Sequence, residues 1–313
     1  MKVLSLALAA ALLAAPARAD FSSSANGTTA ADFLNLGAGA RAAAMGQAAA
    51  AVADDATSLY WNPAALTNVR GHSVTLMHAP YVASSYFDYA AYAQNMDRYG
   101  AFGASLQYFS LGGLNATDAS GADIGAASPY DLAASFGYAY RFADSDGKRD
   151  GFSVGAAGKF ISQKIVTSAK TFAADFGILS PAYFDERLRV AAAVLNAGPP
   201  VKFDQASEPL PLTAKIGGGY KINGRWLAAL DVAAPRGGSV YAGLGTEYQL
   251  IVDGPWNFAV RAGYNTQTLG SIDGFAGVSM GFGLGYRGGR FDYAFVPLGG
   301  VGQAQRLSLN YLF

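Results

Sequence analysis

The sequence predicts an all-β membrane protein, a 14-stranded antiparallel transmembrane β-barrel with a small helical N-terminal plug. Three observations carry this expectation. After an apolar leader, no apolar run is long enough for a transmembrane helix, although 51% of the 313 residues are hydrophobic. Those residues instead alternate with polar ones in segments of about ten, the pattern of strands with two unlike faces. The apolar face is broad and ends in Tyr, Phe or Trp, whereas the other mixes glycine with charges of both signs. That phase puts lipid outside and a polar lumen inside, and separates the chain from a soluble sandwich, which also alternates.

The first element is the leader, MKVLSLALAAALLAAPARAD: one lysine, an apolar stretch from Val3 to Ala15, then Ala17-Arg18-Ala19 as a small-x-small site. This is the layout of a secretory signal peptide over residues 1–19, cleaved after Ala19. Cleavage removes Lys2 and Arg18 and leaves 20 basic against 22 acidic residues. So nearly neutral a chain has no field for nucleic acid. With no cysteine, it also has neither a disulfide framework nor thiolate chemistry.

Residues 20–70 come next and are too rich in small residues to be barrel wall. Gly37-Ala-Gly39-Ala-Arg41-Ala42 satisfies the G-x-G-x-x-A pattern of a dinucleotide-binding turn. That pattern works only between a buried strand and a helix of a βαβ unit, and export takes the chain away from cytosolic cofactors. No cofactor is expected. Arg41 to Val52, nearly all alanine around Met45, Gly46 and Gln47, reads as a helix. Asn62 reads as an N-cap with Pro63 at the first helical position and Ala64 after it. Trp61 and Leu66 are placed for a hydrophobic staple. The segment is expected to sit as a plug in the lumen, with Gly37 and Gly39 making the turns into its helix. Asp131, Arg141, Lys159, Lys215, Asp231, Glu247, Arg261 and Asp292 fall on the polar faces of the strands. They are available either to hold the plug or to line a solvated pore.

Strands follow near 72–79, 86–95, 99–110, 130–141, 152–162, 171–181, 187–197, 212–222, 225–234, 239–250, 256–265, 274–286, 290–297 and 304–313. Fourteen is the even number that a closed bacterial barrel requires. The long Leu111–Pro129 and Gly198–Pro211 loops are odd-numbered connections and are expected to face outward. The Asn223-Gly224 pair, an even-numbered one, reads as a two-residue type I′ turn facing the periplasm. Val201 and Phe203, framed by Pro199, Pro200, Pro209 and Pro211, are the candidate partner-binding anchors of the second long loop, since apolar groups on a rigid loop bind at low entropy cost. The chain closes on RLSLNYLF, with Tyr311 and terminal Phe313 resembling the C-terminal signal read by the barrel-assembly machinery. Ser308 stands where that signal usually has glycine.

The run FLNLGAGARAAAMGQAAAAVADDATSLYWNPAAL resembles the N-terminal signature of the PorV/PorQ family of outer-membrane proteins, themselves similar to the FadL long-chain fatty-acid channels. The FadL plug also carries an Asn-Pro-Ala motif, matching Asn62, Pro63 and Ala64. DFGIL at Asp175–Leu179, VLNAGPPVKF at Val194–Phe203, AVRAGYN at Ala259–Asn265 and FDYAFVPLGGVGQAQRLSLNYLF to the terminus continue the resemblance. It implies residence in the bacterial outer membrane, in contact with its lipid, and one of two functions. One is a non-enzymatic component of type IX-like secretion that binds exported cargo or partner subunits. The other is a passive channel for long-chain fatty acids or other hydrophobic molecules.

No residue set argues for catalysis. His72 and His78 share a face of one strand but stand about 20 Å apart, too far for one metal. The serines of GSIDG and DATSL have no histidine partner. Asp54 and Asp55 read as a helix end or as ion-pair partners in the lumen rather than as a cation site.

Overall fold

The computed structural model describes residues 27–117, 120–143, 150–164, 168–203, 206–250, 255–267, 276–299 and 302–313. The expected signal peptide lies outside the described residues. Strands β1 (His72–Pro80), β2 (Tyr86–Asn95) and β3 (Ala101–Ser110) begin the barrel, and β4 (Leu114–Thr117) with β5 (Asp123–Ala127) forms a separate hairpin. Then follow β6 (Tyr130–Arg141), β7 (Ser153–Lys164), β8 (Ser168–Leu179) and β9 (Leu188–Ala197), and a second hairpin of β10 (Val201–Phe203) and β11 (Ala206–Glu208). β12 (Thr213–Lys221), β13 (Trp226–Pro235), β14 (Tyr241–Gln249), β15 (Trp256–Asn265), β16 (Val278–Tyr286), β17 (Gly289–Pro297) and β18 (Gln303–Leu312) complete it. Without the two hairpins these make a closed antiparallel barrel of fourteen strands, sealed by β1 against β18. No described helix is long and apolar enough to cross a membrane.

The alternation sets the register. In β6, Phe136 is 62% exposed on the outer surface while its neighbour Ser135 is buried in the lumen. In β14, Leu244 faces out and Glu247 in, and Glu247 pairs in register with inward Arg261 of β15. β8 begins at Ser168, earlier than the sequence pattern indicates, because its first residues pair with the end of β7 (Lys164↔Ser168, Gln163↔Ala169).

Both sheet ends lie on one rim, where His72 and Phe313 exchange backbone hydrogen bonds of 2.8 and 3.0 Å. That rim carries the even-numbered connections and is the periplasmic one. The two hairpins lie in the β3–β6 and β9–β12 connections, at the opposite rim. Phe313 also stacks on the His72 ring at 5.0 Å and on Tyr311 at 5.4 Å. Replacing Tyr311 and Phe313 together by alanine is expected to lower the folded fraction several-fold, because it strips the seam where the sheet closes. Heat-modifiable gel migration reads this, and a yield equal to that of a loop substitution would reject a special role for the terminus.

Two local expectations are corrected. Asn223-Gly224 is not a two-residue type I′ turn, since neither residue has a positive φ. The Asn223 side chain instead accepts from the Arg225 N–H at 2.8 Å, and Ile222 donates to the Trp226 carbonyl, so three residues, 223–225, lie inside that bonded pair. The two-residue turn is Arg287-Gly288, with φ of 45° and 88°. The alanine-rich helix is also shorter than Arg41 to Val52: it spans Ala40–Ala44 and ends where Gly46 and Gln47 take φ of 61° and 65°. Beyond that point the peptide groups turn to bond the barrel wall.

Candidate functional site

The N-terminal segment from Gly27 to Val69 lies in the lumen, where most of its side chains are buried. Small inward positions make room for it: Gly263 and Gly155 each leave no space for a Cβ, facing Gly46 and the Pro63–Ala64 peptide. Gly37 and Gly39 take φ of 89° and 85° before the short helix, so the fingerprint glycines serve turns.

Polar wall groups replace the hydrogen bonds that a helix would have made. Asp231 accepts from the N–H groups of both Ala49 and Ala50 at 3.0 Å. Ser279 accepts from Gly46 at 3.2 Å, Asn265 donates to the Gly46 carbonyl at 2.9 Å, and Ser73 accepts from Ala56 at 3.0 Å. Ser308 accepts from Ala40 at 2.8 Å, which gives its hydroxyl a use that glycine lacks. Arg306 donates to the carbonyls of Gly37 and Leu36. An unpaired buried peptide group costs roughly 1–3 kcal/mol, so these bonds fix the path of the segment.

Charge closes the attachment in a ring. Arg41 pairs with Asp54 at 2.7 Å and with Glu247 at 2.8 Å; Glu247 binds Arg261 at 2.6 Å. Arg261 reaches Asp292 at 2.8 Å, Asp292 binds Arg290 at 2.7 Å, and Arg290 returns to Asp55 at 2.8 Å. Four carboxylates and three guanidiniums thus lead from one plug residue through three strands back to its sequence neighbour. Asn310 donates to Asp292 as well, at 2.8 Å. Burial pushes the Asp55 carboxyl up, but Arg290 and the hydrogen bonds from Thr57 outweigh it and hold Asp55 below the usual carboxylate range. A depressed folded value stabilises above the unfolded pKa, about 4, and the gain is lost as pH falls through the folded value. Protection of the segment from protease is therefore expected to be unchanged between pH 7 and pH 5 and to fail only in stronger acid. Loss already at pH 6 would show that Asp55 is not what holds it.

Asn62 caps as expected, its Oδ1 accepting from Ala64 at 3.0 Å, although the turn it starts, Pro63–Asn68, is a 3-10 helix. Its amide also donates to Ala50 at 3.1 Å and across to Ile178 of β8 at 3.2 Å. Asn62→Ala should cost about 1–2 kcal/mol through the lost cap and loosen the segment, read as faster protease access to residues 27–70. Unchanged access would remove the cap from the attachment. Trp61 and Leu66 are both buried. The indole donates to the Ala38 carbonyl at 2.9 Å and lies beneath the Lys215 ammonium, 4.6 Å from the ring centre. Leu66 packs over Gly103.

Of the wall charges legible in the sequence, Arg141, Lys215, Asp231, Glu247, Arg261 and Asp292 belong to this attachment, which favours holding a plug over lining an open pore. Lys159 instead pairs within the wall, with Asp175 at 2.8 Å and Asn196 at 2.6 Å, and Asp131 accepts from Gln163. The residues missed are Arg290, Arg306, Asp175, Ser279 and Asn310. The inward parity of Arg290 with Asp292, and of Arg306 with Ser308 and Asn310, was a signal that could have found most of them. His72 contacts Tyr92 and Phe313, and His78 pairs with Asp88 at 2.6 Å. Val201 does not stand out as an exposed anchor: it is buried with Leu210 against the wall, and Phe203 is half-buried beside it. The proline-framed loop folds inward because its hairpin lies over β8.

The segment divides the lumen. A cavity of about 820 Å³ opens at the periplasmic rim and one of about 770 Å³ at the outer rim, where Tyr81, Val240, Tyr241 and Leu298 contribute to the wall. Among solved structures, the toluene transporter TbuX of Ralstonia pickettii matches with a TM-score of 0.59 at 14% identity, over 88% of this chain and 98% of that one. The toluene transporter TodX of Pseudomonas putida matches with 0.55 at 15%, over 88% and 96%. A Pseudomonas aeruginosa FadL homologue matches with 0.54 at 12%, over 88% and 98%. These likenesses show the fold. No curated protein matches the chain. The model of the family described as "Type IX secretion system protein PorV" matches residues 22–224, well over half of the sequence, and the chain belongs to that family of bacterial outer-membrane barrels.

Proposed function

We propose that this chain is a non-enzymatic, plugged outer-membrane barrel that binds exported proteins or partner subunits in type IX-like secretion. The observation that carries the reading is the ring of charges pinning the N-terminal segment across the lumen. A barrel whose bore is held shut by buried ion pairs suits a binding platform better than a conduit. The binding surface then belongs to the outer rim, where the β4–β5 and β10–β11 hairpins stand. Truncating both hairpins should abolish co-purification of outer-membrane partners while leaving heat-modifiable folding intact. Retention of every partner without them would overturn the reading.

A second reading, a passive channel for hydrophobic molecules, has one observation in its favour. The ladder between β8 and β9 shifts register between Ala174 and Phe176, opposite Asn196 at φ 62°, so the wall is irregular there. Uptake of a hydrophobic compound that depends on this barrel and is indifferent to the hairpins would replace the first reading with the second.

A further inference from the structure

The periplasmic cavity differs from the rest of the lumen in its charge balance. Around the plug, Arg41, Lys159, Lys215, Arg261 and Arg290 each have a carboxylate within 4.0 Å, and Arg306 is held by the carbonyls of Gly37 and Leu36. The cavity of about 820 Å³ is lined in addition by Arg70, Arg141, Arg187, Arg189, Lys221 and Arg225. None of these six is within ion-pair distance of a carboxylate among the described residues. Four acids also line it, and two of them, Asp54 and Glu247, are engaged by Arg41. Self-repulsion among such groups destabilises a folded chain unless a counter-charge arrives.

The cations are also ordered. Arg141 and Arg189 both donate to Oδ1 of Asn68 at the cavity floor, two guanidiniums on one neutral acceptor. Arg189 of β9 pairs in register with Gly219, and Lys221 of β12 donates its backbone N–H to the carbonyl of Arg187, the turn residue just before β9, so Arg187, Arg189 and Lys221 share one inward parity at this rim. Positions two apart on a strand repeat at roughly 6.5–7 Å, and adjacent strands lie about 4.8 Å apart. An extended acidic peptide presents its same-side carboxylates at that repeat, whereas a single small anion meets only one or two of the cations. The plug closes the cavity on its inner side through Ala51, Val52 and Asn68, so whatever enters stops there.

We infer that the periplasmic mouth is a docking site for an extended acidic segment of a periplasmic protein, held by Arg187, Arg189, Lys221 and Arg225, with Arg70 and Arg141 lining the same cavity. This site lies on the rim opposite the hairpins and stands independently of the function proposed above. Charge-dominated association of this kind is fast and weakens steeply with salt.

The test uses the full-length barrel in nanodiscs, with fluorescein-labelled hexa-aspartate as probe and anisotropy as readout. Hexa-aspartate should bind, hexa-asparagine should not, and tripling the salt should weaken binding several-fold. Arg187→Gln with Lys221→Gln should weaken it at least tenfold, and Arg225→Gln alone should give a smaller loss in the same direction. All of these side chains are exposed, and heat-modifiable migration confirms folding. Arg287→Gln, a periplasmic turn residue outside the cavity, should bind like the wild type. Equal loss in Arg287→Gln would reduce the effect to general surface charge and overturn the site. Unchanged binding in the double variant would do the same. Inorganic phosphate displacing the peptide at equal concentration would replace a peptide site by a small-anion site.

Discussion

Replacing Glu247 by alanine is expected to release the N-terminal segment from the wall while the barrel stays closed. Glu247 accepts from Arg41 of the plug and Arg261 of the wall, and its side chain is only 6% exposed. Removing one partner of a buried ion pair costs about 3–5 kcal/mol, because the charge left behind has lost both its solvent and its counter-ion. Here two guanidiniums lose a shared carboxylate. The ring then no longer closes, and Arg41 retains only Asp54, whose side chain is 52% exposed. Protease cleavage within residues 27–70 and raised conductance in planar bilayers would report the release. Asp54→Asn is the matching control, with an expected effect under about 1 kcal/mol because an exposed pair is screened by water. If Glu247→Ala stays as protected and as closed as the wild type, the ring does not hold the plug.

The second large effect is expected from Gly46→Val. At Gly46 the backbone has φ of 61° and presses on the wall, where a Cβ would stand 2.6 Å from the carbonyl oxygens of both Leu244 and Tyr264. Neither oxygen has room to move, since each belongs to a paired strand. A β-branched residue pays the strain of the left-handed region, about 1–3 kcal/mol, and overpacking of similar size on top. The segment should fail to seat around Met45–Gln47 even though all its ion pairs are chemically intact, again visible as protease access. Gly46→Ala should show the same sign with a smaller loss. A valine variant with wild-type protection would mean that the plug approaches the wall less closely than these contacts indicate.

The barrel was legible because its side chains obey a rule of period two over ten residues at a time, and a lipid-facing strand tolerates few exceptions to it. Phe136, Leu244 and Leu230 announce the outside, and Ser135, Glu247 and Asp231 the inside, before any strand is paired. What could not be read is which inward charge meets which. That depends on the register between strands and on where the plug lies. Glu247 and Arg261 stand 14 residues apart yet meet at 2.6 Å because β14 and β15 align them. Arg290 meets Asp55 across 235 residues. The helix from Arg41 to Val52 failed for a related reason. Alanine favours a helix in isolation, but Asp231, Ser279 and Asn265 offer the same peptide groups partners outside the helix, and the wall won. The Asn-Gly turn failed locally: an Asn side chain that accepts from the backbone two residues on stabilises a different turn.

The dependence of the plug on wall side chains sets an order of events in biogenesis. Residues 27–70 contain helical stretches of at most six residues, and their peptide groups are satisfied by Asp231, Ser279, Asn265, Ser308 and Ser73, on five separate strands. A chain that must borrow its hydrogen bonds has no stable shape until the lenders are in place. The portion synthesised first therefore reaches its final conformation last, after β16 and β18 have joined the sheet. Its docking requires the cylinder to be complete.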